Sequence, residues 1–144
     1  MNSISGATGI LTPMLALVGW SLLVWAWMVY SRVTTMARLK IHPQTAAHVA
    51  DLTGLPSQTR QASDNYNHLM EQPTLFYALI AYTALAGQGD GINVILAWAY
   101  VGLRMIHTLV QTTVNVVMVR FYLFVASTLV LAAIVVRDTL ALIH

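Results

Sequence analysis

The first 31 residues contain no charged side chain, and residues 9–31, GILTPMLALVGWSLLVWAWMVYS, form one long apolar segment. A helix needs about 20 apolar residues to cross the hydrocarbon core of a bilayer. A cleaved signal peptide would have a basic start and a shorter apolar core, and this segment has neither. Trp20, Trp25, Trp27 and Tyr30 cluster in its later half, as is typical of rings at the headgroup level. The segment therefore predicts a transmembrane helix.

Three further apolar segments follow, and we place the four spans at about 9–31, 66–86, 92–115 and 121–141. The sequence GQGDG at 87–91 predicts a tight turn between the second and third spans. The chain is 58% hydrophobic and 8% charged, whereas soluble domains carry about 25% charged residues. We expect a single all-α integral membrane domain over residues 1–144, built as a four-transmembrane-helix bundle in contact with the lipid bilayer.

The first polar stretch carries most of the basic residues. Arg32, Arg38, Lys40 and Arg60 lie between residues 31 and 60, where Pro43, Gly54 and Pro56 predict a loop with a short helix. Lys and Arg near span ends favour the cytoplasmic side, so we place this loop and Arg120 there and both termini on the non-cytoplasmic side. No basic helix face suits a nucleic acid.

Two helical stripes of polar side chains interrupt the apolar spans. One stripe follows i, i+3, i+4, i+7 spacing in the second span, and the other follows i, i+4, i+7, i+11 spacing in the third, with a histidine beside it. They comprise Asp64, Asn67, His68 and Glu71, and Arg104, Thr108, Gln111 and Asn115 with His107. Both stripes should face protein, and Glu71 can pair with Arg104. Such a pair could hold a bundle together or form part of a binding site, and spacing alone does not choose between them.

Metal and thiol chemistry of the protein's own side chains are not indicated. The chain has no cysteine, and His42, His48 and His144 have no neighbours in the sequence that complete a ligand set. We therefore predict no metal site.

The segments NHLMEQPTLFYAL and AWAYVGLRMIHTLVQTTVNVVMVRFYLF, together with the preceding basic loop, resemble the MAPEG superfamily, the membrane-associated proteins in eicosanoid and glutathione metabolism. The resemblance covers all four spans and is most specific over residues 60–127. It is greatest to bacterial MAPEG-domain proteins, which implies a bacterial inner membrane. It also implies a left-handed four-helix bundle that assembles as a homotrimer, with glutathione bound between subunits near the cytoplasmic side.

The resemblance implies roles for individual residues. Arg120 matches the catalytic arginine that stabilises the glutathione thiolate, although an arginine at this span end could equally be a topological anchor. The remaining matches would bind glutathione as co-substrate, with Asn67 or His68 in the place of the family's asparagine and Gln111 in the place of its tyrosine. They are Asn67, His68, Glu71, Arg104, His107 and Gln111. The chain also departs from catalytic members at Ser63 and Asp64, where they commonly carry arginines.

Two functions follow as expectations. One is a membrane-embedded glutathione-dependent transferase or peroxidase that acts on apolar electrophiles or lipid hydroperoxides. The alternative is a non-catalytic membrane scaffold or lipid-binding subunit of the same fold, within a larger membrane complex with other subunits. A proton- or ion-conducting unit would use the same buried charges, but no span carries a repeated polar file.

Overall fold

A computed structural model describes residues 2–42 and 56–143, and all the regular structure in these ranges is helical. Five helices occur in it. They are α1 (Asn2–Leu39), α2 (Ser57–Glu71), α3 (Pro73–Leu85), α4 (Gly91–Thr112) and α5 (Val117–Ile143). The short helix expected in the first loop, together with His48 and His144, lies outside the described residues.

Helix α1 extends well beyond the predicted end of the first span. Residues 32–39 contain neither proline nor glycine, so the helix continues until Lys40, which adopts a left-handed conformation with φ 56°. The N–H of Ile41 donates to the carbonyl of Met36 at 3.0 Å, which closes the helix with a Schellman-type bond. The expectation that the loop begins after residue 31 is therefore wrong, and Arg32 and Arg38 lie on α1.

The second predicted span consists of two helices that meet at Gln72. Pro73 is at the start of α3, where its missing N–H leaves no helical hydrogen bond unmade. Gln72 retains right-handed helical angles, with φ −71° and ψ −35°. The chain thus passes from α2 to α3 without a reversal of direction.

Helix α2 begins at Ser57, nine residues before the predicted span, because its polar first half lies against the extension of α1. The hydroxyls of Thr35 and Thr59 are 3.0 Å apart, and Arg32 Nη2 donates to Ser63 Oγ at 2.9 Å.

Within residues 2–42 and 56–143, three helical segments are long and apolar enough to span a membrane: Gly9–Leu39, Gly91–Thr112 and Val117–Ile143. Helix α3 has 13 residues, which at 1.5 Å per residue reach only about 20 Å. A hydrocarbon core is about 30 Å thick, so α3 needs the last turns of α2 to complete a crossing.

Helix α4 lies at the centre of the bundle and packs against α1, α2 and α5. Its Tyr100 ring is fully buried and stacks on Phe76 of α3 with centroids 4.4 Å apart. Such a pair contributes about 0.5–1.5 kcal/mol beyond its buried area. Leu17 of α1 and Ile134 of α5 are also fully buried and complete the apolar core.

A polar network joins α3, α4 and α5 at the end where α3 finishes and α4 begins. The buried Asp138 carboxylate accepts from Thr83 Oγ1 at 2.5 Å and from Asn93 Nδ2 at 2.9 Å. Arg137 donates to Asn93 Oδ1 at 2.9 Å and to Asp90 Oδ2 at 2.6 Å. Asp90 also caps α4 by accepting from the Asn93 N–H at 2.8 Å. This network therefore fixes three helices and one turn together.

Candidate functional site

The polar stripe of α4 is buried in the bundle as far as Gln111, as the sequence predicts, but Asn115 was wrongly included in it, because α4 ends at Thr112 and Asn115 lies in the following turn. The stripe's four central side chains are only 2–4% exposed, although all four are polar. They are Arg104, His107, Thr108 and Gln111. Buried polar groups need partners, so the surroundings of each group decide what the stripe can do.

Arg104 contacts aromatic rings instead of the expected carboxylate. Its guanidinium carbon is 5.4 Å from the Tyr100 ring centroid and 5.3 Å from that of Phe124. Cation–π contacts of this kind stabilise a desolvated guanidinium by about 2 kcal/mol. The Nε and Nη2 atoms of Arg104 are buried and have no hydrogen-bond partner among residues 2–42 and 56–143.

The predicted Glu71–Arg104 pair is wrong for the protomer. The Glu71 side chain is 70% exposed, and its Oε2 lies 3.3 Å from Nδ1 of His68, one turn earlier on α2. Spacing placed the two groups on polar faces, but Glu71 lies on the outer side of α2 whereas Arg104 is buried between rings. Asp64 and Asn67 are exposed as well, so the protomer covers only His68 in the polar stripe of α2, and that partly.

A cavity of about 310 Å³ lies beside the start of α5 and opens to the surface of the protomer. Six side chains line it, two of them histidines, one an arginine and three apolar. They are His68, His107, Val117, Arg120, Phe121 and Phe124. The His68 ring is edge-on to that of His107, with centroids 5.7 Å apart, and 6.0 Å from that of Phe124. The topology puts this cavity at the same end of the bundle as the C-terminus of α1 and its basic residues.

Arg120 is held by the turn between α4 and α5. Its Nη1 donates to Asn115 Oδ1 at 2.8 Å, while its buried Nε has no partner among the described residues. Asn115 has φ 49°, a left-handed conformation that asparagine tolerates, and its N–H donates to the carbonyl of Val110 at 2.8 Å. The same residue thus ends α4 and positions the guanidinium at the cavity.

The break between α2 and α3 is tied to α5 on the same side of the bundle. Gln72 Nε2 donates to Thr128 Oγ1 at 2.6 Å. Thr128, Phe124 and Arg120 are spaced by four residues, so they share one face of α5. The bond therefore fixes how far His68, one turn before Gln72, stands from this face.

The protein-family model of the MAPEG family matches residues 10–138, which is nearly the whole chain. The chain belongs to the MAPEG family. A search of curated proteins and a search of solved structures each found no match. Membership and the apolar helices together make this chain an integral membrane protein, as predicted.

The six candidate glutathione ligands and Arg120 lie at different distances from the cavity. Arg120, His68 and His107 meet in the cavity, and Glu71 reaches its rim through His68. Arg104 lies behind the cavity wall, on the Phe124 ring.

Besides Glu71 and Arg104, two more candidates do not line the cavity. Asn67 is exposed on α2, and Gln111 is buried in α4 with its Oε1 unpaired among the described residues.

Sequence reasoning missed Arg32, whose guanidinium reaches across from α1. Catalytic members of the MAPEG family were expected to carry arginines where this chain has Ser63 and Asp64. Here the Arg32 Nη2 lies 2.9 Å from Ser63 Oγ, so α1 supplies a guanidinium next to that position. The one indication of this contact in the sequence is Ser63 itself, because a serine is short enough to accept a hydrogen bond from an arginine on α1.

Proposed function

We propose that this protein is a membrane-embedded glutathione-dependent transferase or peroxidase that acts on apolar electrophiles or lipid hydroperoxides. The observation that carries the proposal is the cavity in which Arg120 and two histidines face an aromatic wall. Membership of the MAPEG family supports a glutathione-related activity. The donor set suits an anionic thiol, because unpaired N–H groups of Arg104 and Arg120 are buried beside or within this cavity.

Arg120 would stabilise the thiolate of bound glutathione. A cation within about 4–6 Å favours the ionised form of an acid and can lower its pKa by 1–3 units. Because Asn115 already holds one end of the guanidinium, little side-chain freedom is lost when the thiolate binds. The thiolate then attacks an electrophilic carbon and displaces its leaving group as an anion. With a lipid hydroperoxide it attacks the peroxide oxygen, which breaks the O–O bond and gives the lipid alcohol and a glutathione sulfenic acid, and a second glutathione converts this acid to the disulfide and water. Val117 and Phe121 line the cavity and are also exposed on the protomer, which offers apolar substrates a path from the bilayer.

The carboxylates and the ammonium of glutathione need further partners. Arg32 beside Ser63 supplies a guanidinium for a carboxylate, and the exposed Glu71 supplies an acceptor for the ammonium. Both groups lie on the same side of the bundle as Arg120. Arg32 and Glu71 would thus take over part of the binding role of the arginines that catalytic members carry at the positions of Ser63 and Asp64.

Assembly as a homotrimer would cover the polar surface of α2. Asp64, Asn67 and Glu71 are exposed in the protomer, and an ionised group in the membrane interior costs about 2.5–3.5 kcal/mol or more. A neighbouring subunit would shield these groups and complete the glutathione site between subunits. We expect trimers in native mass spectrometry from mild detergent, and monomers alone would contradict this assembly.

The proposed topology has four crossings, with α2 and α3 together forming the second. Both termini then lie on the non-cytoplasmic side of a bacterial inner membrane. The cavity faces the cytoplasm, where glutathione is supplied.

The test is glutathione binding by the detergent-solubilised protein, measured by calorimetry, with the thiolate absorbance followed in the ultraviolet. Arg120→Lys should leave assembly and glutathione affinity nearly unchanged, but reduce the thiolate band and slow the conjugation of a model electrophile. Lysine lacks the planar, two-point geometry of a guanidinium. Arg38→Lys, on an exposed part of α1, is the matched control and should change neither. If the wild type shows no thiolate band at saturating glutathione near neutral pH, the proposal fails.

The second candidate function is a non-catalytic scaffold or lipid-binding subunit. The observation that favours it is the placement of Arg104, whose guanidinium makes cation–π contacts with two aromatic rings inside the bundle. Under that function Arg120 is a topological anchor, and Arg120→Lys is silent in every assay above.

A further inference from the structure

We infer that His68, oriented by Glu71, is the acid–base group of the cavity and accepts the proton of the thiol that binds at Arg120. The inference rests on the proposed function and deepens it. It assigns the proton transfer to a residue pair of α2, separate from the cation that stabilises the anion.

The pair places a carboxylate within ion-pair distance of the imidazole. Nδ1 of His68 lies 3.3 Å from Glu71 Oε2, while the ring lines the same cavity as Arg120. Nδ1 forms no hydrogen bond among the described residues, and contacts of this kind commonly tighten only when substrate binds. The edge-on contact with His107 and the contact with Phe124 limit how the ring can turn.

Histidine gives this position a chemistry that asparagine lacks. The family's asparagine corresponds to Asn67 or His68 in this chain, and His68 is the one of the two that lines the cavity. An amide is not a base, whereas a neutral imidazole whose Nδ1–H faces a carboxylate presents Nε2 as a proton acceptor. Glu71 keeps its second oxygen for another partner.

The proton transfer balances without any further reactant in a substitution reaction. The thiol proton passes to Nε2 of His68, which becomes an imidazolium facing Glu71. The sulfur electron pair forms the new C–S bond, and the leaving group departs as an anion with the electrons of its broken bond. His68 then releases the proton to water.

Groups of both charges surround His68. The titratable and charged groups near it are Asp64 and Glu71 on the same helix, Arg104 and His107 on α4, and Arg120 on α5.

The test compares His68→Asn and Glu71→Gln with His42→Asn, an exposed histidine at the end of α1. Each full-length protein is assayed in detergent with glutathione and 1-chloro-2,4-dinitrobenzene across pH 5.5–9, and also with octanethiol in place of glutathione. We expect His68→Asn to lower kcat/KM at pH 7 by about 100-fold and to change the shape of the pH–rate profile, because the variant has no acid–base group at this position. Glu71→Gln should lose roughly tenfold, because its carboxylate is largely solvated, and the His42 control should match the wild type.

The outcomes separate the two proposals. If the wild type conjugates glutathione and His68→Asn keeps its rate and pH profile, the acid–base role is overturned and the proposed function stands. If glutathione neither binds nor reacts but octanethiol reacts in a His68-dependent way, the proposed function fails and the acid–base role stands for another thiol. If neither thiol reacts faster than in detergent alone, both fail. If His68→Asn does not fold, kcat of Glu71→Gln at saturating glutathione decides the first case, because a loss of ammonium binding alone raises KM and leaves kcat unchanged.

Discussion

The buried carboxylate of Asp138 should contribute more to stability than any other polar side chain at its end of the bundle. Asp138→Ala removes two acceptors, leaving Thr83 Oγ1 and Asn93 Nδ2 each without one hydrogen bond. Bonds to an ionised acceptor contribute about 1.5–3 kcal/mol each in water-soluble proteins. Measured interhelical bonds in membranes average nearer 0.6 kcal/mol, with a maximum of about 1.7.

Two effects reduce the loss in Asp138→Ala. Asn93 Nδ2 keeps its bond to the carbonyl of Gln88 at 2.9 Å, and the mutation also removes the cost of burying a charge. We therefore expect a loss of about 2–4 kcal/mol, which corresponds to roughly 5–15 °C in Tm. Asp138→Asn retains one acceptor and should lose about half as much.

Thermal unfolding in mild detergent, followed by circular dichroism, measures the difference. Thr139→Val is the matched control, because Thr139 is exposed and bonds only its own helix, at Val135, in the described structure. The control should stay within about 0.5 kcal/mol of the wild type. If Asp138→Ala has the same Tm as Thr139→Val, the network does not hold the three helices and the reasoning is refuted.

Three further predictions concern the other parts of the chain. Glu71→Gln and Arg104→Met should change stability additively within about 0.5 kcal/mol, since the two side chains make no contact in the protomer, and a coupling above about 1 kcal/mol would contradict this. A reporter that is active only in the cytoplasm should show no activity when it is fused after His144. Activity of this fusion would show that the proposed orientation is wrong. Gln72→Leu and Thr128→Val should each lower the free energy of unfolding by about 1 kcal/mol, and the double variant should lower it by little more, because both changes remove the same 2.6 Å hydrogen bond. Fully additive losses would count against this bond.

The parts of the fold that depend on periodicity could be predicted from the sequence. The charge-free first segment and the stripe of Arg104, Thr108 and Gln111 follow from apolar length and the helical repeat, and both occur in the structure. These features are local, so neighbouring residues are enough to determine them.

The parts that depend on contacts between helices could not be predicted in this way. The extension of α1 is accompanied by bonds of Arg32 and Thr35 to α2, and polar residues with no periodic pattern give no sign of such a partner. Spacing put Glu71 on a polar face but did not give the direction in which it points relative to Arg104. The role of Phe124 as the wall between Arg104 and the cavity is likewise a matter of side-chain direction across two helices.

Hydrogen-bond satisfaction differs between the two ends of the bundle, and this difference supports a site at one of them. Around Asp138 the charged and amide groups bond one another, with Gln88 Oε1 as the exception among the described residues. At the other end, buried polar atoms of Asn65, Arg104 and Arg120 have no partner within residues 2–42 and 56–143. An unpaired buried polar group costs about 1–3 kcal/mol, more when it is charged, so several together at one end require an acceptor from outside the protomer. Arg104 and Arg120 present only donors and carry positive charge, so an anion from a ligand or from a neighbouring subunit would satisfy both their hydrogen bonds and their charge.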